Sequence, residues 1–346
     1  MTDEEKIFNH AMREQGGIYI PRGSFELDPI LMSMLDVVKQ YLEVTINLNP
    51  NLPKANIFYA NNMSINACAF KVQSQYFIAV NVGTVIRLKE IFDNIVANKK
   101  VSNEIFKNEN ITVNSATFLY FAMVFLVAHE YSHIRFGHCD LITHLAGHDD
   151  IAFLNEAMSN DLVQNGLFRQ TLEYDADCCA IANSINRLLM AKDYHNKSFD
   201  EIIHEISLCN LSCYILFKIF DNGKHQNYND YDLDNLKNDS HPRPGLRINY
   251  IMHNISSLLY KYYNEEKLGL ILDNMLKYVT SYEKIYDKNI NIKNMELGIA
   301  YTKKGSQHLR GIHNNWDNVR RLLQPFTKDT LAEFEEDTGW NKIFID

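Results

Sequence analysis

Residues 126–138, LVAHEYSHIRFGH, put three histidines and a glutamate into one of the most apolar stretches of the chain. His129 and His133 are four residues apart, so on a helix both rings leave from one face. Glu130 directly follows the first of them. Two imidazoles at this spacing can hold zinc, and the carboxylate beside them can take a proton from the metal's water. Ionisable groups in an apolar helix are costly to bury unless they are paired or bind metal. That setting, more than the bare pattern, is what makes zinc the expected cofactor. His138 comes nine residues after His129, about 180° round a straight helix at ~100° per residue. It is therefore expected to point away from the metal and to close the helix after Gly137, where a cation suits the C-terminal dipole.

A catalytic zinc takes three protein ligands and keeps a position open, so a further donor must follow. Glu173 in TLEYDADCCAIANSI is one candidate. It lies one helical turn from Asp177, so one acid can bind metal while the other accepts the outer N–H of a ligand histidine. Glu156 in FLNEAMSND is another; it resembles the Asn-Glu-Ala of thermolysin-type enzymes, although the acid after it, Asp161, is out of register. His144 or His148 in THLAGH is the remaining choice. Helical facing, and the small apolar residues after Asp177, favour Glu173 over a merely solvated acidic face. The metzincin pattern is excluded, because its glycine and last histidine would fall on Phe136 and Cys139.

These groups need elements to carry them. The chain has 346 residues, 46% hydrophobic and 22% charged, enough for one large domain or two ordinary ones. With only 7 Pro and 14 Gly, helices are favoured over a sandwich of many short strands. DPILMSMLDVVKQYLEV reads as an amphipathic helix with Asp28 as N-cap and Pro29 at its first position. NIFYA (56–60), NACAFKVQ (66–73) and YFIAVNVGTVIRL (76–88) read as strands. Residues 98–110 and 221–240 are polar excursions, and from Ser115 to about residue 325 the pattern is mostly helical. A net charge of −9 speaks against a nucleic-acid partner. MTDEEKIFNHAMREQGG is unlike a secretory signal. The apolar runs FLYFAMVFLVA and CYILFKIF fall short of the ~20 residues of a membrane span. Six cysteines in so long a chain make no disulfide framework. A soluble protein of the reducing cytoplasm, without a membrane span, is the expectation.

With AHEYSHIRFGH, EYDAD and HPRPGLRI (241–248) taken together, the chain resembles the gluzincin metallopeptidases, which pair H-E-x-x-H with E-x-x-A-D, as in HtpX-like and CAAX-type proteases. The resemblance spans about residues 56–250. It implies an α+β, mainly α fold. A small antiparallel or mixed sheet would border the active-site helix, with YFIAVNVG as the edge strand that pairs with an extended protein or peptide substrate. Asn66 and Ala67 match an Asn-Ala segment upstream of that strand. The resemblance further implies Zn2+ on His129, His133 and Glu173, with Asp177 orienting a ligand. His241, and Arg247 six residues later, would then be donors to a developing oxyanion. Members of these families are often membrane-embedded, whereas spanning helices are not evident here, and the 98–110 insertion lengthens the path from strand to zinc helix. Among soluble proteases the chain is similar to the phage-exclusion (Lit-type) peptidases, intracellular enzymes that carry H-E-x-x-H. The repressor-cleaving (ImmA-like) proteases share HExxH…GH and a later E-x-x-A but are usually smaller.

The expected function is therefore a zinc endopeptidase acting on an intracellular protein, with Glu130 as general base, in a host-defence role if the Lit-type resemblance holds. The expected layout is a helical segment over 1–50, a metallopeptidase core over 51–255 and a helical region over 256–346 packed on it. A different class would be a non-proteolytic regulatory or binding protein that keeps a zinc-bound gluzincin fold, against which the intact Glu130 argues. Another would be a structural zinc closed by four protein ligands, with His144 or a cysteine completing the set.

Overall fold

The structure, a computed structural model, describes residues 1–346 apart from 22, 24–25, 100–104, 106–113, 147–150, 154–164, 192–195, 222–238, 287–294 and 334–346. Glu156, Asp161 and His148 lie outside the described residues, as do most of the 98–110 and 221–240 stretches. In chain order the elements are α1 (Asp3–Ala11), α2 (Asp28–Leu48), β1 (Ala55–Ala60), β2 (Ala67–Val72), β3 (Gln75–Asn81) and α3 (Val82–Ala97). There follow α4 (Ser115–Arg135), α5 (His138–Ala146), β4 (Ile151–Phe153), α6 (Gly166–Met190) and α7 (Phe199–Asp221). The chain continues with α8 (Pro244–Leu259), α9 (Glu265–Tyr286), a 3-10 turn (Glu296–Tyr301) and α10 (Lys303–Leu323). The protein is thus mainly helical with a small mixed sheet, the α+β class expected.

α4 threads the main core. Asn114 caps its start, accepting from the Thr117 amide at 2.9 Å. From Phe121 to Ile134 every residue is buried, as befits a helix that is apolar all round. α6 crosses it, and α3 and α7 flank it. α7 is long and apolar enough to span a membrane by length and composition, yet 89% of its most apolar window is buried inside the protein. It packs against α4, α8 and α9. The short run CYILFKIF understates this helix, because Ser207, Asn210 and Ser212 are buried along with its apolar residues.

The sheet corrects one expectation. Its order is β1-β3-β2-β4, with β1 parallel to β3 and β2 antiparallel to both its neighbours. YFIAVNVG therefore lies at the centre, not at an edge, because β1 fills its outer side. The strand also ends sooner than its β-branched composition suggests: the chain turns helical at Val82, where packing overrides propensity. β2 pairs with β3 along its whole length but with β4 only through Phe70–Val72. Along Ala67–Ala69 no second described strand pairs with β2 on the side away from β3. The start of β2 is pinned by Thr84, whose hydroxyl accepts from the Asn66 amide and donates to its carbonyl, both at 2.9 Å. The Asn81 amide donates to the same carbonyl at 3.0 Å. Asn66 thus faces β3 and α3, and by strand alternation the Ala67 backbone groups face the open side.

Asp28 is likewise not an N-cap. Leu27 takes that place, while the Asp28 carboxylate accepts from the Tyr19 hydroxyl and from the Gly23 amide at 3.1 Å.

Candidate metal centre

α4 and α6 supply the three side chains at the centre. The Nε2 atoms of His129 and His133 stand 3.1 Å apart. Glu173 reaches both, with Oε2 3.3 Å from His129 Nε2 and Oε1 3.4 Å from His133 Nε2. All three residues are buried. They form a group able to hold a metal ion. The donor set fits that use on a further observation: Glu173 Oε2 is buried without a well-angled hydrogen bond. An ionised oxygen left so is costly unless a cation meets it. His144 is exposed on α5, beside the Phe326 ring, and does not join the group.

Charge at the site has the same sense. Burial opposes a proton on His129, but Glu173 and Asp177 outweigh it and push its pKa up to about 10. Burial would raise Glu173 too, yet the His241 and His129 rings hold it well below the usual carboxylate range. The carboxylates around these rings call for positive charge, from a proton or from a metal. Glu130, buried beside them, is pushed upward chiefly by desolvation, and it accepts the backbone N–H of Ala69. That bond ties the open stretch of β2 to α4.

Asp177 stands one turn beyond Glu173, wholly buried, with Oδ1 2.8 Å from His129 Nδ1 in an oblique approach. Arg247 of α8 clamps the same carboxylate: Nε donates to Oδ2 and Nη2 to Oδ1, each at 2.8 Å. The Tyr250 hydroxyl donates to Oδ2 as well. Burial would raise Asp177, but Arg247, with His129, brings it down to about 2. Arg247 also stacks on Phe217, 4.1 Å from the ring centroid, and its Nη2 is 3.7 Å from Glu173 Oε2. The Arg247 guanidinium thus holds acids of α6 beside the candidate ligands and also lines the cavity.

His241 is placed differently. Its Nε2 is 3.3 Å from Glu173 Oε2, its Nδ1 meets the Ser240 hydroxyl at 2.8 Å, and 38% of the side chain is open to solvent. Its burial against the cleft lowers its pKa, and Glu173 opposes that shift. Its segment is held from a distance. Arg243 forks onto Glu296 of the 3-10 turn at 3.1 and 2.6 Å, and the Gly245 amide donates to Glu296 Oε1 at 3.3 Å. A Cβ at Gly245 would come within 1.9 Å of the Glu296 carbonyl oxygen, so only glycine allows this approach.

His138 departs furthest from expectation. It does not point away: it is wholly buried, with Nδ1 2.8 Å from His133 Nδ1 and Nε2 3.1 Å from Asp175 Oδ2. The extrapolation of ~100° per residue fails because α4 ends at Arg135 and the chain reverses at Gly137, whose φ is +79°. A Cβ there would meet the Phe326 backbone at 2.6 Å. Sequence reasoning missed Asp175 and Glu296. Asp175 carried a signal, being the middle acid of EYDAD; Glu296 carried none.

The whole group opens into a cavity of about 350 Å3. His129, Glu130, Glu173 and His241 line one side, and Phe125, Leu126, Leu216, Phe217 and Phe220 form an apolar wall. Ala67 and Cys68 border it. No family model, curated protein or solved structure compared with the chain matches it.

Proposed function

We propose that the chain is a zinc-dependent endopeptidase of the gluzincin kind. The observation that carries this reading is the meeting of the His129–His133–Glu173 group, the buried Glu130 and the start of β2, along which no second described strand runs, around one cavity. A structural zinc would instead be closed by a fourth protein ligand, and the described residues that could hold a metal form a group of three.

Zinc held by His129, His133 and Glu173 would supply the Lewis acidity that makes water a nucleophile near neutral pH. Glu130 accepts the proton of the attacking water and delivers it to the leaving amine; its raised pKa suits both halves of that transfer. His241, the most exposed of the rings that line the cavity, donates to the developing oxyanion. An extended substrate pairs with β2 at Ala67 in place of the central β3, and main-chain bonds there accept any sequence. The apolar wall selects a large apolar side chain beside the cleaved bond. An intracellular protein substrate, in the phage-exclusion role of the Lit-type resemblance, belongs to the same proposal. The six free cysteines agree with a reducing compartment.

The test compares wild type with Glu130→Gln and Glu173→Gln for bound zinc and for cleavage of extended peptides. Glu130→Gln is expected to keep zinc and to lose roughly 10²–10⁴-fold in kcat, while Glu173→Gln loses zinc. Equal cleavage by Glu130→Gln would remove the reading.

A further inference from the structure

The outer nitrogens of the two ligand rings meet different partners. His129 Nδ1 faces a carboxylate, Asp177, whereas His133 Nδ1 faces another ring, His138, at 2.8 Å. Beyond His138 stands Asp175, 3.1 Å from Nε2. Each nitrogen of a neutral imidazole is either a donor or an acceptor, never both. If His138 donated from Nδ1, His133 would have to accept there and carry its own proton on Nε2, which would block the metal. Metal binding through His133 Nε2 therefore requires the reverse order. His133 Nδ1–H donates to His138 Nδ1, and His138 Nε2–H donates to Asp175 Oδ2.

Resting on the metal reading above, we propose that His138 and Asp175 form a relay that fixes the tautomer and orientation of His133. The Asp175 carboxylate can only accept, so it holds the His138 proton on Nε2 and leaves Nδ1 bare. That bare nitrogen is the acceptor that keeps the His133 proton away from the metal side. Asp175 thus acts through two rings, as a positioning residue that touches neither metal nor substrate. The geometry explains why the chain reverses so sharply at Gly137: only that turn brings a residue of α5 behind a ligand of α4. It also gives the middle acid of EYDAD a task separate from those of Glu173 and Asp177. Helix α6 thereby reaches the centre three times, once as a ligand and once behind each ligand histidine.

The experiment measures zinc affinity of the full chain by competition with a chromophoric chelator at fixed pH, with the melting temperature of each metal-free protein alongside. Asp175→Leu and His138→Leu should each weaken zinc by ~10–100-fold. His138→Asn, whose side-chain oxygen overlies the lost Nδ1, should retain most of the affinity. A merely space-filling role predicts the opposite order, with Leu tolerated and Asn not. In the double variant His138→Leu/Asp175→Leu, loss of the acid should add nothing beyond the loss of the ring. Wild-type affinity in both single Leu variants, or additive losses in the double variant, would overturn the relay while leaving the metal centre intact. Failure of the wild type to bind zinc would overturn both. Should His138→Leu not fold, Asp175→Asn and His138→Asn decide: a drop in the first with retention in the second supports the relay, and no drop in the first overturns it.

Discussion

The Asp177 carboxylate lies 2.8 Å from His129 Nδ1 while the Arg247 guanidinium holds both of its oxygens from behind. An acid so clamped cannot swing away from the ring it faces, and its depressed pKa keeps it ionised through the neutral range. Removing its charge by Asp177→Asn should weaken zinc by ~10–100-fold, the usual range for partners that orient a metal-bound histidine. Chelator competition reads this directly, and unchanged affinity would deny Asp177 its role.

Arg247 should matter for stability before it matters for catalysis. Arg247→Met leaves Asp177 buried beside His129 without its guanidinium, a loss of about 3–5 kcal/mol for breaking a buried pair from one side. Denaturant titration should show a lower midpoint. An oxyanion donor would behave otherwise, with the turnover number reduced and the midpoint unmoved.

The metal-free protein should lose stability toward alkaline pH. His129 gains proton affinity on folding, its pKa rising from 6.5 to about 10. The stabilisation from this shift is complete below pH 6.5 and is lost as the pH rises through about 10. Zinc takes the place of that proton, so binding at pH 7.5 should release close to one proton and flatten the alkaline decline. Calorimetry in buffers of different ionisation enthalpy counts the proton; none released would mean that His129 is neutral without metal. Asp177 works at the other end: its pKa falls from 3.8 to about 2, so its contribution is full above pH 4 and vanishes as the pH drops toward 2.

Ala67→Pro tests the strand assigned to the substrate. The Ala67 amide faces the open side of β2, so its loss leaves the β2–β3 ladder whole while removing one donor to an extended peptide. One such hydrogen bond is worth roughly 1 kcal/mol, about fivefold in kcat/KM, with zinc content unchanged. The same change in β3, at Ile78, should unfold the sheet, since that strand is paired on both sides.

The group that could hold a metal was legible in the sequence because its members are local to single helices: His129 and His133 share a face of α4, and Glu173 and Asp177 share a face of α6. The helical class and the three main strands were legible for the same reason, their periodicity being written within a few residues. What escaped was set by relations between elements. β3 became central only because β1 returned parallel along its far side. His138 was misplaced because a straight-helix extrapolation ignores the reversal that Gly137 permits. The motif fixes the spacing of Arg247 from His241 but not that its fork meets Asp177.

The tie from Arg243 to Glu296 bears on how the protein can be divided. Every candidate metal ligand, the proposed base Glu130 and both proposed relay residues precede position 180, so a fragment trimmed after α8 would keep all of them together with His241. It would lack Glu296, and with it the acceptor for Arg243 and for the Gly245 amide that fasten the His241 segment. Such a truncation would load metal and yet carry a loose wall on its cleft. The boundary of the working unit is thus drawn by a carboxylate some fifty residues beyond the last motif, so shortened or fused versions should retain the chain at least through the 3-10 turn.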